Sequence, residues 1–290
     1  MQVPAPFQYE KATSVEHALT LLAQYGPESR VVAGGHSLLP MMKLRLAQPE
    51  ALIDINDLVE LAGISVDGDA LRIGAMVRHT ELLHSAVAGE HFPILRDAER
   101  VIADPVVRNR GTVGGSLCQA DPSEDLSAAF AALRADLVAV GPGGRRTIPA
   151  REFFVGPYQT ALDDGELLVE LRVPIRSHAS AYEKVERRVG DWAVAAAGAV
   201  LNLVGDTVTE VGIGLTAVGA TGFVAAEAED FLRGGQASDE RFAEAGRIAA
   251  EHCNPAADQR GPVDYKRHLA GELTTRALRR AAARARGEEA

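Results

Sequence analysis

Cysteine is nearly absent: the 290 residues contain two, Cys118 and Cys253, far apart in the chain. Two thiols cannot supply an iron–sulfur cluster, which takes four, or a multi-cysteine zinc site. Both read as reduced, half-buried thiols, and any metal centre serving this chain must lie on another polypeptide. Cations are outnumbered, with 30 Lys and Arg against 40 Asp and Glu and a net charge of −10. That balance argues against nucleic acid as the main partner. No apolar run approaches the roughly 20 residues that span a bilayer, so no membrane span is expected. The opening Met1-Gln2-Val3-Pro4-Ala5-Pro6 has neither a basic start nor an apolar stretch, so no signal peptide is expected. The expected location is the cytoplasm, either free or peripheral to the inner face of the membrane.

Several catalytic and nucleotide signatures are missing too. There is no G-x-G-x-x-G and no P-loop GK[ST], which removes a Rossmann-type nicotinamide site. No G-x-S-x-G and no Cys/His nucleophile pair appears. His79, His84 and His91 lack the i, i+4 spacing of a helical zinc site and read as core or surface residues.

What the chain does have is two short segments with paired glycines. Ala33-Gly34-Gly35-His36-Ser37 follows the apolar Val31-Val32, and Leu38 then opens a helix. Gly111-Thr112-Val113-Gly114-Gly115-Ser116 follows the basic Arg108-Asn109-Arg110. Paired glycines let a backbone turn with positive φ and bring its N–H groups close to an anion. Either pair alone is compatible with a plain tight turn. Two of them converging on one ligand suit a diphosphate, and hence a dinucleotide. His36 reads as a loop hydrogen-bonding residue, with covalent flavin attachment as the less favoured role.

Further along, Asp125 opens an Ala/Leu-rich helix. It reads either as an N-cap, a role open also to Ser123, or as an acceptor for sugar hydroxyls or ring N–H groups. Lys184, Arg187, Arg188, Asp191 and Trp192 form a polar–aromatic group. Its plain reading is an edge strand with solvated cations. Its functional reading has Trp192, the single tryptophan, stacking on a planar ring and Lys184 stabilising an anionic reduced ring.

Periodicity and turn signals outline the elements. Ser14 caps a helix. Strand 29–33, loop 34–37, helix 38–46 and strand 52–55 make a βαβ-like start. A strand at 71–75, helices at 80–88 and 93–102, a helix at 126–134, a hairpin around Gly141–Gly144 and a strand at 167–173 follow. Beyond Pro174–Ser180, strands at 181–187, 193–204 and from 208 suggest an antiparallel meander, followed by helices near 224–233, 238–252 and 262–286. The arginines of the last helix suit a C-terminus and read as a solvated or interface face.

The stretches "AGGHSLLPMMKLRLAQPE", "IADPVVRNRGTVGGS", "DPSEDLSAA", "GELLVELRVP", "YEKVERRVGDWAVAAA" and "DQRGPVDYKRHLAG" occur in that order. In combination they resemble the FAD-binding medium subunits of molybdenum hydroxylases, the xanthine dehydrogenase family, and within it the aerobic carbon monoxide dehydrogenase branch. The resemblance implies an α+β architecture: a vanillyl-alcohol-oxidase (PCMH)-type FAD fold of two α/β subdomains, 1–55 and 56–176. A C-terminal domain, 177–290, would carry a three-stranded antiparallel sheet and three helices. It implies FAD between the subdomains, with Ala33–Ser37 and Thr112–Ser116 holding the diphosphate. Asp125, Ile102, Leu168, Lys184 and Trp192 would lie at the flavin end. Ser116 and Trp192 depart from the commoner asparagine and tyrosine. The implied role is an electron-transfer subunit of a heterotrimer, itself dimerised. A large molybdenum-cofactor subunit and a small iron–sulfur subunit would be its partners, and a quinone or other acceptor would take the electrons. Carbon monoxide is the first substrate expected of the complex. N-heterocycles such as nicotine, quinoline or purines, or an aldehyde, are the alternatives, and a non-redox nucleotide-binding module is the reading from another class.

Overall fold

The computed structural model describes residues 3–219 and 221–288. Met1 and Gln2 of the opening segment, Ala220, and the last two residues of the C-terminal span lie outside the described residues. The described residues build three main sheets, each with its own helices, and a two-stranded hairpin of Phe154–Gly156 and Gln159–Thr160.

The first sheet is parallel. Strand Ala51–Asp54 lies between Gln8–Lys11 and Ser29–Val32. Helix Val15–Tyr25 starts where the Ser14 hydroxyl accepts the His17 N–H at 3.1 Å. Its buried Ala18 and Leu21 share a core with Ile53. The helix after the first glycine pair runs only from Leu38 to Lys43. It stops short of the expected Leu46 because Arg45 takes a left-handed conformation, φ 58°, which a helix cannot continue.

The second sheet has five antiparallel strands, with Leu167–Pro174 at its centre. Ala70–Gly74 and then Ile64–Asp67 flank one side. Asp136–Gly141 and Gly144–Pro149, joined by the tight turn at Pro142-Gly143, flank the other. Phe92, Phe130 and Phe153, all fully buried, fill the core beneath it. The helix expected over 80–88 is two helices, His79–His84 and Ala86–His91. The chain breaks at Ser85, whose hydroxyl caps the second of them through the Ala88 N–H. Helix Leu126–Leu133 is buried over its whole length.

The third sheet is antiparallel in the order Ala179–Glu186, Ala193–Val204, Thr207–Thr216 and Phe223–Val224. The expected three strands gain a short fourth, because the chain folds back along Leu215 before its first helix. Helices Ala226–Leu232, Asp239–His252 and Val263–Ala285 cover the sheet. The alanine run in Ala193–Val204 is buried from both faces: Ala195, Ala197 and Ala199 pack with these helices, and Ala193 and Ala196 join the core of the second sheet. Two arginines of the last helix are partly buried and face the rest of the protein. Arg284 and Arg280 grip the buried Asp97 of the second unit at 2.6 and 3.1 Å and tie the C-terminal helix to it. A buried acid needs such partners, which the sequence pattern of the helix did not reveal. Among the described residues no helix is long and apolar enough to cross a membrane.

Candidate functional site

A cleft of about 900 Å³ opens where the first two sheets meet, with the start of the third contributing to its wall. Its volume suits a large organic ligand. Ala33, Gly34, Gly35, His36, Ser37 and Leu38 line one wall, and Thr112, Gly114, Gly115 and Ser116 another. Asp125, Ile102, Leu168 and Trp192 also reach it.

The two glycine segments are built differently. Ala33–Ser37 is a true loop. Gly35 has φ 78°, a conformation natural to glycine. Among the described residues no protein acceptor takes the N–H of Gly34, Gly35, His36 or Ser37. Four neighbouring amide groups on a segment that lines the cleft are therefore uncommitted, and a run of free donors of this kind suits an anion.

The second segment, expected as a loop, is the first turn of helix Val113–Gln119, with Thr112 as its N-cap. Its amides are committed to protein. Val113 and Gly114 donate to the carbonyls of Val77 and Ala75, both at 2.9 Å. Gly115 donates to Thr112 Oγ1 at 3.1 Å, and Ser116 to the Thr112 carbonyl at 2.9 Å. These glycines serve close approach instead of positive φ. A Cβ on Gly114 would sit 2.7 Å from the Ala75 carbonyl oxygen. Val113 points into the core and does not reach the cleft.

The glycine segments also touch each other. A Cβ on Gly34 would lie 2.3 Å from the Arg110 carbonyl oxygen and 2.7 Å from Gly111 Cα. The first pair thus combines a turn, Gly35, with a backbone-to-backbone contact, Gly34.

The acidic wall forms around the start of helix Leu126–Leu133. Asp125 occupies the N-cap position, yet its side chain caps nothing, and Ser123 does not cap either. Glu124 does so: its carboxylate accepts the N–H groups of Leu126 and Ser127 and the hydroxyl of Ser116 at 2.9 Å. Burial pushes Glu124 up to about 7, against those donors, with the Asp125 charge adding to the rise. Asp125 is therefore free for other partners. Tyr182 Oη donates to it at 2.8 Å and Lys184 Nζ at 2.9 Å. Burial still raises the Asp125 pKa, with Lys184 and Tyr182 pulling the other way.

Lys184 does not line the cleft. Its buried ammonium is held by Asp125, by the Val101 carbonyl at 2.9 Å and by Glu186 at 3.5 Å. It acts on the cleft only through Asp125. Trp192 remains on the wall, 41% exposed, beside Gly190 and Asp191.

Other residues on the wall carried little sequence signal. His79 lies behind the second glycine segment and pairs with buried Glu99 at 3.0 Å. Burial works against its protonation, and the Glu99 carboxylate outweighs burial and raises its pKa. The two are twenty residues apart on separate helices, so only the fold joins them. Tyr158 bonds Asp121 at 3.0 Å from a hairpin over the wall. Cys118 is exposed to the cleft and Cys253 is buried, so the two thiols differ where similar half-burial was expected. Glu124 could have been suspected from its place beside Asp125; nothing local marks Tyr158 or Cys118.

Comparison with known proteins gives the same outline. Residues 5–176 match the model of the FAD binding domain in molybdopterin dehydrogenase, and residues 180–281 match the CO dehydrogenase flavoprotein C-terminal domain. The chain is 44% identical to the carbon monoxide dehydrogenase medium chain of Hydrogenophaga pseudoflava, over 97% of this chain and 99% of that one. Its fold superposes on a solved structure of that organism's carbon monoxide dehydrogenase with TM-score 0.95, at 45% identity and the same coverage. It superposes on quinoline 2-oxidoreductase from Pseudomonas putida 86 with TM-score 0.92 and 34% identity, covering 98% of this chain and 99% of that one. Two family models across most of the chain and full-length likeness in both sequence and fold lead to one assignment: the chain belongs to the family of FAD-binding subunits of molybdopterin dehydrogenases.

Proposed function

We propose that this chain relays electrons through FAD held in the cleft, within a complex that oxidises carbon monoxide at a molybdenum cofactor on a larger subunit. The observation that carries the reading is the row of uncommitted amides at Gly34–Ser37, on the wall of a cleft whose other residues include Ile102, Leu168, Asp125 and Trp192. The donor set fits the cofactor. The amides of the first loop would hold the diphosphate, with Leu38 and His36 beside them. The second segment would contribute the Thr112 hydroxyl and a close, rigid surface at Gly114 and Gly115. Ile102, Leu168 and Trp192 would border the flavin ring. Asp125, fixed by Tyr182 and Lys184, would accept a hydrogen bond from a ring N–H.

When bound, FAD supplies the exchange between single-electron and two-electron transfer. The chain's own residues bind it, orient it and limit water at its ring. Electrons would arrive from a small iron–sulfur subunit, which agrees with the scarcity of cysteine in this chain, and would leave to a quinone or similar acceptor. The assembly we infer is a dimer of heterotrimers in the cytoplasm, at the inner face of the membrane. Within the chain, 1–55 and 56–176 would form the two halves of the FAD site and 177–290 the flavoprotein C-terminal domain. Carbon monoxide is favoured as substrate by the 44% identity to a carbon monoxide dehydrogenase medium chain.

The test is co-purification with the neighbouring large and small subunits. The complex is expected to be yellow, to release FAD on denaturation, and to reduce a dye when supplied with carbon monoxide. A colourless complex that takes up no FAD overturns the reading. A yellow complex inert to carbon monoxide but active on quinoline or nicotine transfers it to the N-heterocycle branch.

A further inference from the structure

We infer that Asn56 and Arg78 form a strut that sets the spacing between the two glycine segments, making them positioning residues for the cofactor diphosphate. This rests on the FAD reading above and deepens it. Asn56 follows the central strand of the first sheet. Its Nδ2 donates to the Ala33 carbonyl at 2.7 Å, directly at the head of the first glycine loop, and to Asp54 Oδ1 at 2.7 Å. Its Oδ1 accepts from Arg78 Nη2 at 2.8 Å. The other end of the guanidinium, Nη1, donates to the Arg110 carbonyl. That is the same carbonyl against which Gly34 packs. Hydrogen bonds therefore run without a break from Ala33, through two side chains, to the residue preceding Gly111.

Three features make this a spacer instead of a ligand. Neither Asn56 nor Arg78 is among the cleft-lining residues. Both are anchored independently. Asn56 is held by its own N–H to Asp54 Oδ1 at 2.8 Å. Arg78 is held by its N–H to Glu81 Oε2 at 2.8 Å and by a backbone bridge to Thr112. The strut also spans the junction of the parallel and antiparallel sheets, where Gly34 and Arg110 bring backbone against backbone. A planar guanidinium can hold two acceptors at fixed separation, which a lysine ammonium on a flexible stem cannot. The Asn56 amide works in the same way, with its two N–H donors and its acceptor oxygen fixed on a single plane.

A cleft that binds a diphosphate from two sides depends on the distance between those sides. Misplacement by a fraction of an ångström weakens every contact at once. Loosening the strut should therefore accelerate cofactor loss while the separate cores stay intact.

The experiment uses the full chain, purified with its co-expressed partner subunits, and follows FAD release by flavin fluorescence after dilution. Asn56→Ala and Arg78→Lys are each expected to release FAD 10–100-fold faster. The double variant is expected to be no faster than the faster single, because both act through one connection. Thermal unfolding of the FAD-free variants is expected to match that of the FAD-free parent, a readout that a merely structural role would shift. Asn56→Asp keeps the acceptor for Arg78 and loses the donor to Ala33. It sets an oxygen against the Ala33 carbonyl and Asp54 where the amide donated, so it is expected to release FAD faster as well, and it provides a second variant should Asn56→Ala fail to fold. Unchanged release in Arg78→Lys and Asn56→Asp, additive effects in the double variant, or matched losses of apo stability overturn the strut while leaving the FAD reading intact. A parent complex that carries no FAD overturns both.

Discussion

The two walls of the cleft begin with the same dipeptide and use it in opposite ways. Gly34-Gly35 makes a loop whose amides remain uncommitted. Gly114-Gly115 makes the first turn of a helix whose amides are already bonded, to Ala75 and to Thr112 Oγ1. The acidic wall follows the second pattern: Glu124 is occupied by Ser116, Leu126 and Ser127, and Asp125 by Tyr182 and Lys184. One wall keeps free donors, and the other is a frame of groups already bonded to protein. Substitutions in the frame should therefore appear as lost stability, and substitutions in the loop as lost ligand.

The largest expected effect is in the frame. Lys184→Met leaves Asp125 buried without its cation, which typically costs about 3–5 kcal/mol. Chemical denaturation of the FAD-free chain should show it; a loss below 1 kcal/mol would mean that Tyr182 alone satisfies Asp125. Gly114→Ala comes next. Its Cβ would press on the Ala75 backbone, and overpacking of this kind costs about 1–3 kcal/mol. The same denaturation midpoint should fall, and an unchanged midpoint would show that the helix start can shift.

In the loop, Gly35→Ala imposes a left-handed conformation at a cost of about 1–2 kcal/mol. The comparison predicts that it removes most bound flavin, read by the absorbance ratio of purified complex, from a chain that still folds. If Gly114→Ala strips flavin and Gly35→Ala does not, the assignment of the two walls is reversed.

The gentlest test is pH. Glu124 titrates near 7 when folded, above its ordinary value of 4.5. The folded state thus holds the extra proton between those values, and the contribution of this group falls as pH rises from about 4.5 to 7. The slope is at most about 1.4 kcal/mol per pH unit. Glu170 has the opposite sign. Burial would raise it, but Arg72, Arg145 and Arg172 hold it down to about 2, so its contribution is lost as pH falls from 4.5 toward 2. Glu124→Gln should flatten the neutral limb of the stability curve and leave the acid limb in place. A neutral limb that persists would show that the three donors keep Glu124 ionised.

Much of this was legible in the chain. The Ser14 cap, the βαβ start, the Pro142-Gly143 hairpin and the long C-terminal strands follow from local turn chemistry and periodicity. Most residues expected at the site do line one cleft, because the segments bearing them have strong local character. Lys184 and Val113 do not. Alternation along a strand, or the first turn of a helix, decides which neighbour faces the ligand, and one residue of shift reverses it. The break at Ser85 turns on a local cap and the early stop on a left-handed residue, Arg45, neither visible as periodicity, while the fourth strand arises from pairing with Leu215.

By itself, the sequence determined the two glycine segments and a dinucleotide reading, which rest on residue types at short spacing, while the family and FAD came from the resemblance carried by longer motifs in order. Only the tertiary structure decided which glycine pair leaves its amides free, which of two cleft-lining acids caps a helix and which takes Lys184, and which cations are buried. Hydrogen-bond commitment is a property of partners brought from distant segments: Ala75 to Gly114, Lys184 to Asp125, Arg284 to Asp97, Arg78 to Asn56. No local pattern encodes those pairings, because the energy of a buried polar group depends on who meets it and not on its neighbours in the chain.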